Sequence, residues 1–89
     1  MKAGEALSLQ FHRVKDESWL VQEGRAKVEL GEAGNSVLNT EVVGPGTAFR
    51  FEPGTVHRVT AIEDTTILEV STPQLDDVVR LEDAYGRAD

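Results

Sequence analysis

The chain has 89 residues, 16 acidic against 9 basic, and a formal charge of −7; with no Lys/Arg run to offset that repulsion, nucleic acid is excluded as a partner. There is no cysteine, so disulfides and thiolate metal sites are excluded too, and the length allows one small domain over 1–89 with a modest core. No apolar run approaches the roughly 18 residues that a bilayer span needs, and the opening MKAGEALSLQ lacks the apolar stretch of a signal peptide, so no membrane partner and a cytoplasmic location are expected.

The dominant period is two, the spacing of a half-buried strand. In ALSLQFHR (6–13), Leu7, Leu9 and Phe11 alternate with Ser8, Gln10 and His12. SWLVQ (18–22) and RAKVEL (25–30) read as the next two strands, joined by a hairpin-like turn at Glu23-Gly24. A loop over 31–35, GEAGN, leads into SVLNTEVV (36–43), which GPG at 44–46 ends. TAFRF (47–51), the turn EPGT (52–55), VHRVTAI (56–62), a turn at Glu63-Asp64 and TTILEVS (65–71) follow. Short strands broken by turn residues at this rate indicate an all-β antiparallel sandwich or barrel. The end differs. In QLDDVVRLEDAYGR (74–87), Leu75, Val78, Val79 and Leu81 fall near helical spacing between Pro73 and Gly86, so a short helical or turn segment packed on the barrel is expected there.

Period two puts Gln10 and His12 on one face of the first strand, with Glu17 just past the bend at Lys15-Asp16 and His57 just after a Gly-Thr turn. In an antiparallel barrel the first and penultimate strands can lie close, so the four side chains can converge inside. Unpaired buried polar groups cost about 1–3 kcal/mol each, and buried charges more. A divalent metal would satisfy all four at once, and nitrogen with carboxylate and amide oxygen suits zinc, manganese, iron, nickel or cobalt. The alternative is two unlinked histidines, each hydrogen-bonded on its own. The basic side chains Arg13, Lys15, Arg50, Arg58 and Arg80 could converge on a small anionic ligand.

The spacing resembles that of the cupin superfamily. Gly4-x5-Gln10-x-His12-x4-Glu17-x6-Gly24 matches the first cupin motif at every interval, with Gln in place of the first His. Gly46-x5-Glu52-Pro53-Gly54-x2-His57-x3-Ala61 matches the spacing of the second, with Glu52 for a Pro and Ala61 for an Asn. LSLQFHRVKDESWLV, PGTVHRV and LDDVVRLEDAYGR further resemble segments of the C-terminal cupin domain of type II mannose-6-phosphate isomerases. The likeness runs from Gly4 to Arg87, and its last stretch is the most specific. Three features depart from that pattern: Lys15 stands where the family has Arg, Ser18 where it has His, and the family carries one or two strands before the LSLQ segment. Arg and Lys are not interchangeable where an anion is gripped by two parallel hydrogen bonds.

The resemblance implies a cupin-type antiparallel jelly-roll barrel, short at its N-terminus, with one divalent ion held by Gln10, His12, Glu17 and His57. It also implies an isomerase or epimerase of sugar phosphates, in which a base moves a proton between neighbouring carbons through an enediol. Glu69 has the strand parity to face inward as that base, and Lys15 lies near the ligand loop. Arg80 could hold a phosphate, or could pair with the acids around it. Trp19 shares parity with Glu17 and could wall the pocket, or could be core. A non-catalytic ligand-binding or accessory cupin and a metal-dependent oxygen-using cupin are the other expectations. A homodimer is expected to cover a barrel edge or the apolar face of Leu7, Leu9 and Phe11, which should point outward if the polar ligands point in.

Overall fold

The alternating segments form strands, and the turn residues between them set the register of two facing sheets. The computed structural model describes residues 1–34, 37–74 and 76–81. Its strands are β1 (Gln10–Phe11), β2 (Glu17–Glu23), β3 (Ala26–Glu32), β4 (Asn39–Val43), β5 (Ala48–Phe51), β6 (Thr55–Ala61), β7 (Thr66–Ser71) and β8 (Val79–Arg80). One sheet has the order β4-β3-β6-β1-β8 and the other β5-β2-β7, with every pairing antiparallel. The all-β expectation therefore holds, and no helix occurs among the described residues.

Inward-facing positions recur every second residue and knit the sheets together. Trp19, Val21, Ala26, Val28, Val43, Phe51 and Val59 form one buried cluster, against which Leu7, Phe49 and Ile67 pack. Along β2 the inward side chains run Val21, Trp19, Glu17, and along β6 they run Ala61, Val59, His57. On both strands the last inward position at the same end of the barrel is polar. The fold thus places a dry core at one end and a polar constellation at the other.

The structure corrects several expectations. The first strand is far shorter than residues 6–13: only Gln10 and Phe11 pair fully, after an isolated bridge from Ala6 to Thr60. The amide of Gln10 donates to both the carbonyl and the hydroxyl of Ser8, a local bond that competes with ladder pairing. Glu23-Gly24 is not a hairpin, since β2 and β3 lie in different sheets. Gly24 has φ of 90° there, and a side chain on it would meet the Asp64 carbonyl oxygen at 2.3 Å, so only glycine lets the chain cross over at this point.

The apolar face of Leu7, Leu9 and Phe11 is not left open. Leu9 is only 3% exposed, Leu7 packs on the core and Phe11 is half-buried. The large exposed apolar side chains lie elsewhere, notably Leu68 at 50% and Val70 at 67%, on the outer side of β7. The region expected to be a helical or turn segment has a turn at Asp76 and then β8, paired with β1. Leu75 and residues 82–89 of that expectation lie outside the described residues.

Candidate metal centre

Glu17 opens β2 and His57 sits in β6, while His12 directly follows β1. All three are buried, and one ligand atom from each lies within 4.8 Å of the others. The Nε2 atom of His12 is 3.0 Å from Glu17 Oε1, and the Nε2 atom of His57 is 3.6 Å from the same oxygen. Both rings are fixed from behind. Nδ1 of His57 donates to the Thr55 carbonyl at 3.0 Å, and Nδ1 of His12 donates to the Asp77 carbonyl. A carbonyl only accepts, so each Nδ1 carries a proton and each ring turns its Nε2 toward Glu17. Phe51 stacks on His57 with centroids 4.1 Å apart and planes 4° from parallel, which sets the ring's tilt.

Burial pushes the His57 pKa down, against partial support from the Thr55 carbonyl and the Glu17 carboxylate. Burial would raise Glu17, but a hydrogen bond with Glu69 and the charges of His12 and Lys15 outweigh it and lower its pKa. Glu69 moves the other way, raised by desolvation and by its hydrogen bond and charge repulsion with Glu17. A carboxyl pair can hydrogen-bond only if one member holds a proton, and these opposite directions assign that proton to Glu69. The geometry agrees. Glu17 lies opposite Ser71 in the β2–β7 register, so Glu69 is its diagonal neighbour on the same face.

With both rings neutral, two lone pairs and a carboxylate oxygen would face one another and repel unless a cation lay among them. The donor set of two imidazole nitrogens and a carboxylate fits a divalent transition metal, and carbonyls that fix the back of each ring are the usual support of metal-binding histidines. Gln10, the fourth expected ligand, is opposite His57 in the β1–β6 register and so shares its face. Its amide nitrogen is engaged by Ser8.

The other expected residues are spread around this centre. Lys15 Nζ is 3.4 Å from Glu17 Oε2, and Glu69 reaches Glu17 from an exposed position on β7. Arg80 is exposed on β8, opposite Gln10, hence on the same sheet face as the histidine of β6. Trp19 belongs to the core, set edge-on to Phe51 at 5.4 Å, with an indole nitrogen that has no partner among the described residues. The expected convergence of basic groups is not seen for two of them: Arg50 pairs with Asp16 and Arg58 with Glu29. Asp77 was missed altogether. Its carboxylate accepts the backbone N–H groups of Arg13, Val14 and Lys15 at 2.6–3.0 Å.

The profile of the cupin domain family matches residues 1–71. The chain belongs to the cupin family. This cupin is 33% identical over 95 residues to mannose-1-phosphate guanylyltransferase 2 of Escherichia coli O157:H7, a match that takes in 100% of the chain and 18% of that protein. It is 36% identical over 90 residues to mannose-1-phosphate guanylyltransferase ManC of Salmonella typhimurium, covering 98% of the chain and 18% of the relative. The cupin thus spans under a fifth of the length of the curated relatives it matches. Among solved structures, the capsular polysaccharide assembling protein CapF from Staphylococcus aureus superposes with a TM-score of 0.79 at 18% identity, over 91% of this cupin and 24% of CapF. Oxalate decarboxylase from Bacillus subtilis does so with a TM-score of 0.74 at 20% identity, over 91% and 22%. At such identities the likeness establishes the jelly-roll fold alone.

Proposed function

We propose that this cupin binds one divalent metal ion through His12, Glu17 and His57, with Gln10 as a fourth ligand, and uses it on a sugar phosphate in an isomerase or epimerase reaction. The observation that carries the reading is the meeting of two imidazoles, each held at Nδ1 by a carbonyl and each turning Nε2 forward, on one carboxylate oxygen. When bound, the ion would supply a Lewis acid that polarises a carbonyl and stabilises a developing oxyanion. Glu69 is the base of this reading. Desolvation and the neighbouring carboxylate raise its pKa, so it binds a proton more readily than an ordinary carboxylate and acts as the base once the proton it shares with Glu17 has left. Lys15 steadies the Glu17 carboxylate, and Arg80, on the face shared with Gln10 and His57, is the group for the phosphate. Relatives named for a mannose phosphate support that substrate class. Sugar phosphates do not cross membranes, so the reading carries a cytoplasmic location with it. It also carries a homodimer, the commonest closed assembly; a light-scattering mass of a single chain at micromolar concentration would count against that part.

Metal analysis and deuterium exchange test the core of the reading. The purified protein should take up about one zinc, manganese, iron, nickel or cobalt ion per chain and lose it in His57→Ala, where a nitrogen ligand is gone. The loaded protein should then incorporate deuterium from heavy water into C2 of mannose 6-phosphate or C1 of fructose 6-phosphate, followed by NMR. A stoichiometry near zero after reconstitution with each metal sinks the metal. Metal without exchange on any of several sugar phosphates moves the assignment to a non-catalytic, ligand-binding cupin. One observation favours that second reading: Arg50 and Arg58 are already committed to carboxylates, which leaves fewer cations to grip a phosphate.

A further inference from the structure

The carboxylate of Asp77 is the acceptor for three consecutive backbone N–H groups, those of Arg13 at 3.0 Å, Val14 at 2.6 Å and Lys15 at 2.8 Å. These residues form the loop that separates His12 from Glu17. The carbonyl of the same residue accepts from Nδ1 of His12. Asp77 lies 65 residues from His12 in sequence, and the strand after it, β8, pairs with β1 through Gln10 and Phe11. The Leu81 N–H then donates to the Leu9 carbonyl at 2.8 Å, closing the segment over the start of the ligand strand.

One residue therefore holds both ends of the ligand loop's geometry. Its carbonyl sets the tautomer and direction of the His12 ring, so that Nε2 faces Glu17. Its carboxylate sets the backbone that carries Lys15 to within 3.4 Å of Glu17. His57 provides an internal contrast, because its Nδ1 is held by Thr55 on its own strand and owes nothing to Asp77.

We propose that Asp77 is a positioning residue of the metal centre: it couples docking of the C-terminal segment 76–81 to the orientation of His12 and of the loop 13–15. This rests on the metal reading above, and it adds that the site is complete only while that segment is seated. By linkage, metal binding and seating of the segment must favour each other by the same factor. Removing a partner that orients a metal-binding histidine typically costs about 10- to 100-fold in metal affinity.

The test uses the full 89-residue chain, with Asp77→Ala and Asp77→Asn beside the unaltered protein. Imidazole tautomers are read by two-bond 1H–15N correlation in metal-free protein, and affinity by cobalt titration followed in the visible spectrum. The unaltered protein should show the Nδ1–H form at both rings. Asp77→Ala keeps the carbonyl but removes the carboxylate that seats the segment, so it should release that form at His12 while His57 keeps it, and should weaken cobalt binding by about 10- to 100-fold. Asp77→Asn, which keeps an acceptor oxygen without the charge, should fall between, and it carries the same readouts if Asp77→Ala does not fold. An unchanged His12 tautomer, or cobalt affinity within about twofold of the original in a folded variant, overturns the proposal. If the unaltered protein takes no cobalt or any other divalent ion, the metal reading fails, and release of the His12 tautomer alone then decides whether Asp77 positions that ring.

Discussion

At the residue scale the two histidines were legible because strand parity and motif spacing both act over a few residues, and each put His12 and His57 on ligand positions. Asp77 was not legible. Its partners are backbone groups more than sixty residues away, and a backbone N–H leaves no mark in sequence. Trp19 shows the limit of parity: sharing the face of Glu17 placed it inside, but only packing decided that inside meant core. Glu69 is the residue whose role is most open to a decisive substitution. Its exposed position on β7 and its bond to a carboxylate that itself faces two imidazoles suit it to the proton-transfer role proposed above. Glu69→Gln should leave metal uptake intact, because Glu69 is not among the converging ligand atoms, and should slow deuterium exchange into the sugar by about 10²- to 10⁴-fold. Exchange that survives this substitution would keep the isomerase reading and discard the base.

At the element scale the strands followed from alternation, yet the partner of each strand did not. A Glu-Gly pair between two apolar runs reads as a hairpin whichever way the chain turns next, and here it carries the chain from the sheet of β2 to the sheet of β3. The difference lies in the packing around Gly24, where the Asp64 carbonyl oxygen and the Thr65 hydroxyl would stand 2.3 and 2.7 Å from an added Cβ. The crossing matters for the site, because it puts Glu17 and His57 on opposing sheets that face each other. Gly24→Ala must therefore shift the backbone of 64–65 as well as adopt a positive φ. A loss of about 1–3 kcal/mol is expected for the strained conformation alone, and the clash adds to it. Denaturant unfolding of the variant measures this; a stability equal to the original protein would mean that the crossing tolerates a side chain. By contrast Gly46 has a similar φ of 89° but open space around it, so alanine there should cost only the strain.

At the scale of the whole molecule the sequence showed an acidic barrel, and the structure shows where acid should undo it. Besides Asp16 and Glu17, two groups bind protons more weakly in the folded protein than when unfolded. The first is His57, whose pKa burial lowers from its ordinary 6.5. The second is Asp77, lowered from 3.8 to about 2 by the N–H groups of Arg13, Lys15 and Val14. For a group whose folded pKa is depressed, the stabilising contribution is present above the unfolded value and is lost as pH falls toward the folded one. The metal-free protein should therefore lose stability in two windows, one opening below about pH 6.5 as the unfolded chain takes up a proton at His57, the other between about pH 3.8 and pH 2 as Asp77 does the same. Asp16 and Glu17 also lose their contributions at acid pH, so the clamp on the ligand loop is isolated by comparison with a variant that lacks the Asp77 carboxylate. Asp77→Asn has no carboxylate to titrate, so its melting temperature should lie below that of the original protein at pH 5, and the gap should close as pH approaches 2. Thermal unfolding of both proteins across that range measures the gap directly. A gap that stays constant from pH 5 to pH 2 would show that the charge of Asp77 contributes nothing, and that only the shape of its side chain holds residues 13–15 in place.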